Sequence, residues 1–282
     1  MPAPLQQFIK NITREEDGVW RTMAQSGVSY PDQGHDTCHG VEDDSFWFSH
    51  RNRCISAAIR RDPPDRGLPF ADVGGGNGYV ASMINDLGFR VVLVEPGASG
   101  IAHARERGLE ELVQASIVDL DIEPGKLGAI GLFDVLEHIE RDHEALRLLW
   151  SMLVDGGKIY ATVPAHEWLW STADTEAGHF RRYTVERLKE LFSECGFDVG
   201  LCSYYFWPLP LPMFLFRNLP ERLHFRRSPK PRDARVSSEH RRQGRILQWL
   251  LSFDENAIGR GQSMPFGASC ILVATKRTAL RG

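Results

Sequence analysis

The run Asp72-Val-Gly-Gly-Gly-Asn-Gly78 constrains this 282-residue chain more than any other feature. It grows out of a short apolar stretch, Phe70-Ala-Asp-Val, and runs into a helical pattern over about 79–87. Glycines let a backbone approach a ligand closely, and a helix N-terminus offers unpaired N–H groups. Gly74, Gly76 and Gly78 are spaced G-x-G-x-G, whereas the dinucleotide fingerprint G-x-G-x-x-G would place a small residue where Tyr79 stands. A carboxylate ahead of the turn, Asp72, repels a pyrophosphate and suits a cationic or amine-bearing ligand. Glu95 closes the next apolar stretch, seventeen residues after Gly78, where a carboxylate can take both hydroxyls of a ribose.

The surroundings of the loop alternate regularly. Apolar stretches at 90–95, 111–115, 129–134 and 158–164 read as strands, with helical patterns between them and glycines at their ends. Asp142 and Thr184 are placed to cap two of the helices, and Gly156-Gly157 to stop the first. Two further strands, 197–206 and 268–275, flank about sixty residues of different character. Fully apolar strands are expected where both faces of a parallel sheet are covered. The pattern predicts an α/β fold with a doubly wound, seven-stranded Rossmann-like sheet. Residues 1–62 read as an N-terminal helical arm or lid, 63–206 with 263–282 as the sheet domain, and 207–262 as an insertion before the last strand.

The chain is 42% hydrophobic and 25% charged, as globular proteins are, which argues against disorder and coiled coil. Its net charge of −4 conceals an asymmetry. Between Arg217 and Arg245 stand ten Lys/Arg and three Asp/Glu, a local +7 on a body of −11. The apolar run 199–216 just before it holds Pro208, Pro210 and Pro212 and is too short to span a membrane as a helix. Together these suit an acceptor-binding subdomain or a homodimer face, with peripheral membrane contact through 204–245 as the alternative. No recognition module supports nucleic-acid binding. The five cysteines form no C-x-x-C pair, so a disulfide framework is not expected and a reducing, cytoplasmic setting fits. His35, Cys38, His39, His50 and Cys54 lack the second cysteine pair of a structural zinc site.

Asp72–Gly78, Glu95 and Phe133-Asp-Val-Leu-Glu-His-Ile resemble motifs of the class I S-adenosylmethionine-dependent methyltransferases. The likeness runs from about Phe46 to Gly200 and returns at 265–276. Gly178-His-Phe-Arg-Arg-Tyr adds a resemblance to the type 11/12/23 members found in bacterial polysaccharide and natural-product pathways. The resemblance implies S-adenosylmethionine as cofactor. It places Asp72 and the loop glycines Gly74, Gly75, Gly76 and Gly78 near methionine, and Glu95 on the ribose. It puts Asp134 near the methionine amine and Ser116 where the family often has an adenine-facing Asp.

Methyl transfer from a sulfonium is an in-line displacement in which positioning supplies much of the rate. A hydroxyl acceptor also needs a base, and three of the ten histidines, His138, His166 and His179, follow strand ends on the ligand-binding face. Arg181, Arg182, Tyr183 and Trp168 are candidates for the acceptor site. Salt bridges to Asp174 or Glu176 are the bland alternative for the two arginines. Asp134, Glu137, His138 and His179 could instead hold a divalent metal. That set is similar to metal-assisted small-RNA 2′-O-methyltransferases and quinone-biosynthesis O-methyltransferases. The expected function is O-methylation of a small-molecule, natural-product or glycan-type acceptor. N- or C-methylation, RNA methylation, a nicotinamide oxidoreductase and a catalytically silent cofactor-binding protein stand as alternatives.

Overall fold

The computed structural model describes residues 5–23, 42–43, 45–223 and 240–278, the first seven of the last stretch as backbone only. His35, Cys38 and His39, and the basic residues between 224 and 239, lie outside the described residues.

The strands are β1 (Thr13–Arg14), β2 (Trp20–Arg21), β3 (Phe70–Val73), β4 (Val91–Val94), β5 (Leu112–Gln114), β6 (Leu127–Phe133), β7 (Leu153–Pro164), β8 (Phe197–Tyr205) and β9 (Ser269–Lys276). They form one sheet in the order β1-β2-β5-β4-β3-β6-β7-β9-β8. From β2 to β7 neighbouring strands are parallel, and β9 runs antiparallel between β7 and β8. The helices are α1 (Phe46–Arg61), α2 (Tyr79–Asp86), α3 (Ala98–Glu106), α4 (Asp142–Met152), α5 (Thr172–Glu176), α6 (Val185–Glu194) and α7 (His240–Gly259), with a shorter helical segment at 210–222. Every residue of β3, β4 and β6 is buried, as the uninterrupted apolar stretches require of strands covered on both faces.

Strands β3–β9 are the seven expected from sequence, and the arm adds two more. β2 pairs in parallel with β5 through Trp20↔Val113 and Arg21↔Gln114, and β1 folds back on β2. Without them β5 would be an open edge. Arg21 Nε fixes the register by donating to Gln114 Oε1 at 2.8 Å, and Phe8, Ile9 and Ile12 are buried in the core beside Leu120 and Ile122. Thr184 caps α6 as expected, its hydroxyl accepting from Arg187 N at 3.2 Å. Asp142 does not cap α4. It is that helix's first residue, and its carboxylate takes Arg181 instead. Gly156-Gly157 fall inside β7, which starts at Leu153 directly after the helix.

Sheet order reverses between β3 and β6, since the chain winds outward from β3 through β4 to β5 and then returns beside β3. Ligands in open α/β sheets bind outside the carboxyl ends of the strands at such a switch point. From one side, α1 closes over this point and packs on α7. His50 Nε2 donates to Asp254 Oδ2 at 3.1 Å, with both side chains fully buried. Among the described residues no helix is long and apolar enough to cross a membrane.

Candidate active site

A cavity of about 850 Å³ opens at the carboxyl ends of β3, β4, β5 and β6. At its glycine-loop wall the backbone turns through left-handed conformations, with φ +67° at Gly74 and +75° at Gly78. A Cβ at Gly74 would lie 2.7 Å from Val135 Cγ2, and one at Gly78 2.7 Å from Leu109 Cδ1, so the loop needs glycine for both conformation and space. Glu95 is pinned by two backbone donors, Gly76 N at 2.9 Å and Gly97 N at 2.7 Å, and lines the cavity with Ser116. Asp72 also lines it, buried, and its Oδ2 has no hydrogen-bond partner. Burial, opposed by Arg51 and assisted by Glu95, pushes the Asp72 carboxyl up to about 7.

Arg51, reaching in from α1, donates to Asp134 Oδ2 at 2.6 Å. Burial opposes its charge, but Asp134, Tyr205 and Glu42 together hold the guanidinium above its ordinary value. Asp134 sits in a strained left-handed conformation, φ +58°, and its Oδ1 accepts from Thr162 Oγ1 at 3.0 Å. Residues so strained persist where the surroundings overdetermine them, and such spots cluster at functional sites. Trp47 and Phe48, in the same turn of α1 as Arg51, complete this wall, with Trp47 stacked on Phe206 at 3.9 Å.

The other end of the cavity is built by segment 171–183 lying across residues 136–142. Phe180 N donates to Glu137 O at 2.8 Å, and Tyr183 Oη donates to Asp142 Oδ2 at 3.1 Å. These contacts bring His138 and His179, far apart in the chain, to a ring separation of 4.7 Å. Asp174, buried, organises the cluster. It accepts from His179 Nδ1 at 2.9 Å, from both Arg182 Nε and Nη2 at 2.8 and 3.0 Å, and from Ser171 N at 2.9 Å. Burial works against its charge, yet His179, Arg182 and Ser171 hold the carboxyl down to about 2. His138 moves the other way: burial first, then His179, lowers it to about 4, so it is neutral at pH 7. Glu137 is buried with Oε2 unpartnered, and burial followed by repulsion from Asp134 pushes its carboxyl well above the usual range. Ligand-type atoms of Glu137, His138 and His179 all lie within 4.8 Å of one another.

A glycine loop at the switch point, an acid clamped after the second parallel strand and a histidine cluster across the cavity agree with an independent match. The family model described as a methyltransferase domain aligns with residues 47–200, more than half of the chain. The chain belongs to this methyltransferase family. S-adenosylmethionine is the methyl donor that goes with it. A probable S-adenosylmethionine-dependent methyltransferase of Mycobacterium tuberculosis is 24% identical over 179 residues. That alignment covers 62% of this chain and 64% of the mycobacterial one. A similar protein of Mycolicibacterium smegmatis is 23% identical over 172 residues, covering 60% and 66%. The chain therefore spans just under two thirds of these relatives' length. Among solved structures, the fold matches phosphoethanolamine N-methyltransferase 2 of Haemonchus contortus in complex with S-adenosylmethionine. The TM-score is 0.57 at 18% identity, over 89% of this chain and 58% of that one. It also matches the complex of a Haloferax volcanii putative methyltransferase with its Trm112 activator, at TM-score 0.57 and 14% identity, over 89% and 97%.

In this family member the residues expected at the cofactor end, Asp72, Gly74, Gly75, Gly76, Glu95, Ser116 and Asp134, all line the cavity, and Gly78 caps α2 directly behind it. The acceptor candidates divide. His138, His179 and Arg182 line the cavity, whereas His166, Trp168, Arg181 and Tyr183 are not on its wall. His166 has φ +61°, and its ring stacks on Tyr204 at 4.8 Å within an aromatic cluster that includes Trp168 and Phe266. Arg181 is paired with Asp142 at 2.7 Å and also donates to Glu140 O, and Tyr183 is buried against the same carboxylate. Asp134 stands apart from the Glu137–His138–His179 group, committed to Arg51. Arg51, Glu42 and Arg217, to which the sequence assigned no site role, also line the cavity, and Asp174, expected only in a salt bridge, is buried beside His179. Arg51 had a legible signal, since it stands three and four residues after Phe48 and Trp47 and shares their helix face.

Proposed function

We propose that the chain O-methylates a small-molecule, natural-product or glycan-type acceptor, with His179 as general base. The observation that carries this reading is the Asp174–His179 pair at the end of the cavity opposite the glycine loop. Asp174 accepts the Nδ1 proton of His179, which leaves Nε2 as the basic nitrogen and stabilises the imidazolium that forms. S-adenosylmethionine supplies a methyl group on a sulfonium: the O–CH₃ bond forms as the S–CH₃ bond breaks, and S-adenosylhomocysteine leaves. His179 Nε2 takes the acceptor hydroxyl proton. His138, neutral beside it, adds no positive charge to oppose that step. Asp72 and Asp134 would hold the cationic end of the methionine, Arg51 would offer its carboxylate a counter-charge, Glu95 would take the ribose hydroxyls and Ser116 would meet the adenine. Residues 207–262 then serve as the acceptor-side element, because Met213 and Arg217 close that end of the cavity.

The test offers phenolic and sugar hydroxyls to the protein with S-adenosylmethionine and follows S-adenosylhomocysteine release. His179→Ala is expected to lower kcat by about 10²–10⁴, with S-adenosylhomocysteine affinity by calorimetry unchanged. Full turnover by that variant would reject His179 as the base. A second reading is favoured by the convergence of Glu137, His138 and His179, a mixed carboxylate and imidazole set suited to a divalent cation. Such a cation would polarise the acceptor oxygen, and Asp174 would orient His179 as an outer partner. Equilibrium dialysis with Mn²⁺ or Zn²⁺ decides it, since stoichiometric binding must disappear in Glu137→Gln.

A further inference from the structure

The segment that follows β8 brings one charge into the cavity that no carboxylate among the described residues pairs with. At 210–222 the chain forms a helical piece with a π-helical turn, Phe214–Asn218, a distortion often found at functional sites. Its outer face exposes Leu211, Leu215 and Phe216, and its inner face presents Met213 and Arg217 to the cavity. Asn218 locks the turn in place, donating to Leu169 O at 2.7 Å and Trp170 O at 2.8 Å. Among the described residues three arginines line the cavity: Arg51, Arg182 and Arg217. Arg51 is paired with Asp134, and Arg182 takes Asp174 through two nitrogens. Arg217 has no ion-pair partner among the described residues. Its Nη2 donates to Leu169 O at 3.3 Å, and its Nε, shielded from solvent, has no hydrogen-bond partner.

A guanidinium held in a wall with no carboxylate in ion-pair contact among the described residues carries a desolvation cost that is only partly offset. Burial and the neighbouring Arg182 both bear against its charge, with Asp174 and Glu221 giving partial relief from a distance. Arginine remains protonated in proteins, so the site keeps a positive charge that a ligand can answer. Its neighbours are Arg182 and Asp174, the residues around His179, so it stands at the acceptor end.

We propose that Arg217 anchors an oxyanion, a carboxylate or a phosphate, carried by the methyl acceptor beside its reacting hydroxyl. This rests on the methyltransferase reading and narrows the acceptor to hydroxylated anions. The planar fork of a guanidinium suits both groups, and a charge-assisted pair there would fix the hydroxyl's distance from His179. Arg217 also lies beyond the 47–200 segment matched by the family model.

The test uses the full chain loaded with S-adenosylhomocysteine and titrates acetate and inorganic phosphate separately, at constant ionic strength, while following the melting midpoint. Saturable stabilisation by at least one of the two is expected, and which one identifies the group. Arg217→Met is expected to weaken that anion by about ten- to a hundredfold. Arg217→Lys should retain part of the affinity and serves if the Met variant does not fold. Arg222→Ala, an exposed arginine of the same segment, should leave it unchanged. Stabilisation by neither anion, or equal stabilisation of the Arg217→Met protein, overturns the proposal. So does loss of S-adenosylhomocysteine affinity in Arg217→Met, because Arg217 would then hold the cofactor's own carboxylate. Failure of the wild-type protein to bind S-adenosylhomocysteine at all would instead count against the methyltransferase reading.

Discussion

Asp72 is buried behind the glycine loop with one carboxyl oxygen unpartnered, and its carboxyl is held up to about 7. A ligand that brings an ammonium and a sulfonium into the cavity favours the ionised form and draws that value down, so binding at neutral pH releases a proton. With a free-state value near 7, Asp72 is about half ionised at pH 7, about nine-tenths at pH 8 and about a tenth at pH 6. If the cofactor requires the carboxylate, its dissociation constant rises by about tenfold from pH 8 to pH 6, and about half a proton is released per site at pH 7. Calorimetry in two buffers of different ionisation enthalpy reads that proton directly. Asp72→Asn is the key control, because Glu137 is a second buried carboxyl that could release one. The Asn variant should bind more weakly, lose the proton release and show a flat pH profile between 6 and 8. Equal proton release by wild type and Asp72→Asn would refute the assignment of the linkage to Asp72. The same raised value affects folding with a definite sign. The unliganded native state keeps this proton to a higher pH than the unfolded chain does, so the contribution of Asp72 to stability is full below about 4 and fades as pH rises through about 7.

Two structural substitutions give sharper tests of the scaffold. Gly78→Ala forces φ +75° on an L-residue and drives a Cβ to 2.7 Å from Leu109 Cδ1 and 3.1 Å from Ala104 Cα. It is expected to cost about 2–4 kcal/mol in chemical denaturation and to weaken S-adenosylhomocysteine binding. Gly108→Ala has similar φ but open space around its Cβ, so it should cost about 1 kcal/mol and leave binding alone. If the two substitutions cost the same, packing behind the loop is not what fixes it. Asp254→Ala removes the acceptor for His50 Nε2, Phe206 N and Trp207 N in a fully buried joint. A loss of about 2–5 kcal/mol is expected, and Asp254→Asn should recover much of it. A change within 0.5 kcal/mol for the Ala variant, about the ordinary surface level, would show that α7 does not depend on this contact to hold α1.

The sheet was legible because its strands are short apolar runs covered on both faces, a pattern that few alternative folds produce, and because Gly88 and Gly108 lie just beyond α2 and α3. The two-residue strands of the arm were not legible. Thr13–Arg14 and Trp20–Arg21 have no alternation to detect, and they are strands only because the edge of β5 receives them. The glycine-loop wall of the cavity was legible for a related reason: its residues stand at strand ends in sequence order, so topology alone gathers Asp72, Glu95, Ser116 and Asp134. The histidine end depends on where segment 171–183 lies. His138, His166 and His179 look alike in sequence, each following a strand. What separates them is tertiary: a backbone bond from Phe180 to Glu137 delivers His179 to His138, while the left-handed turn at His166 sends that ring to Tyr204.

Charge tells a similar story at finer scale. In sequence the basic stretch beginning at Arg217 reads as one block of +7. In the structure its first member departs from any solvated run, because Arg217 is turned inward to the cavity and Asn218 behind it is buried. Net charge could not show this, since what matters is which charges are answered within the protein. Asp134 is answered by Arg51, and Arg182 and His179 by Asp174. Asp72 is left with an unpartnered oxygen, and Arg217 without a carboxylate among the described residues. Polar atoms shielded from solvent in that state, Asp72 Oδ2 and Arg217 Nε, are costly unless a ligand completes them. One is an acid beside the glycine loop and the other a base beside the histidines. Cation and anion are therefore requested at opposite ends of one cavity, which is what a sulfonium donor and an anionic acceptor would bring. The two demands can be separated experimentally: the proton released on cofactor binding belongs to Asp72, and oxyanion stabilisation of the loaded protein belongs to Arg217. A substitution at either residue that abolished both readouts would mean that the ends are not independent.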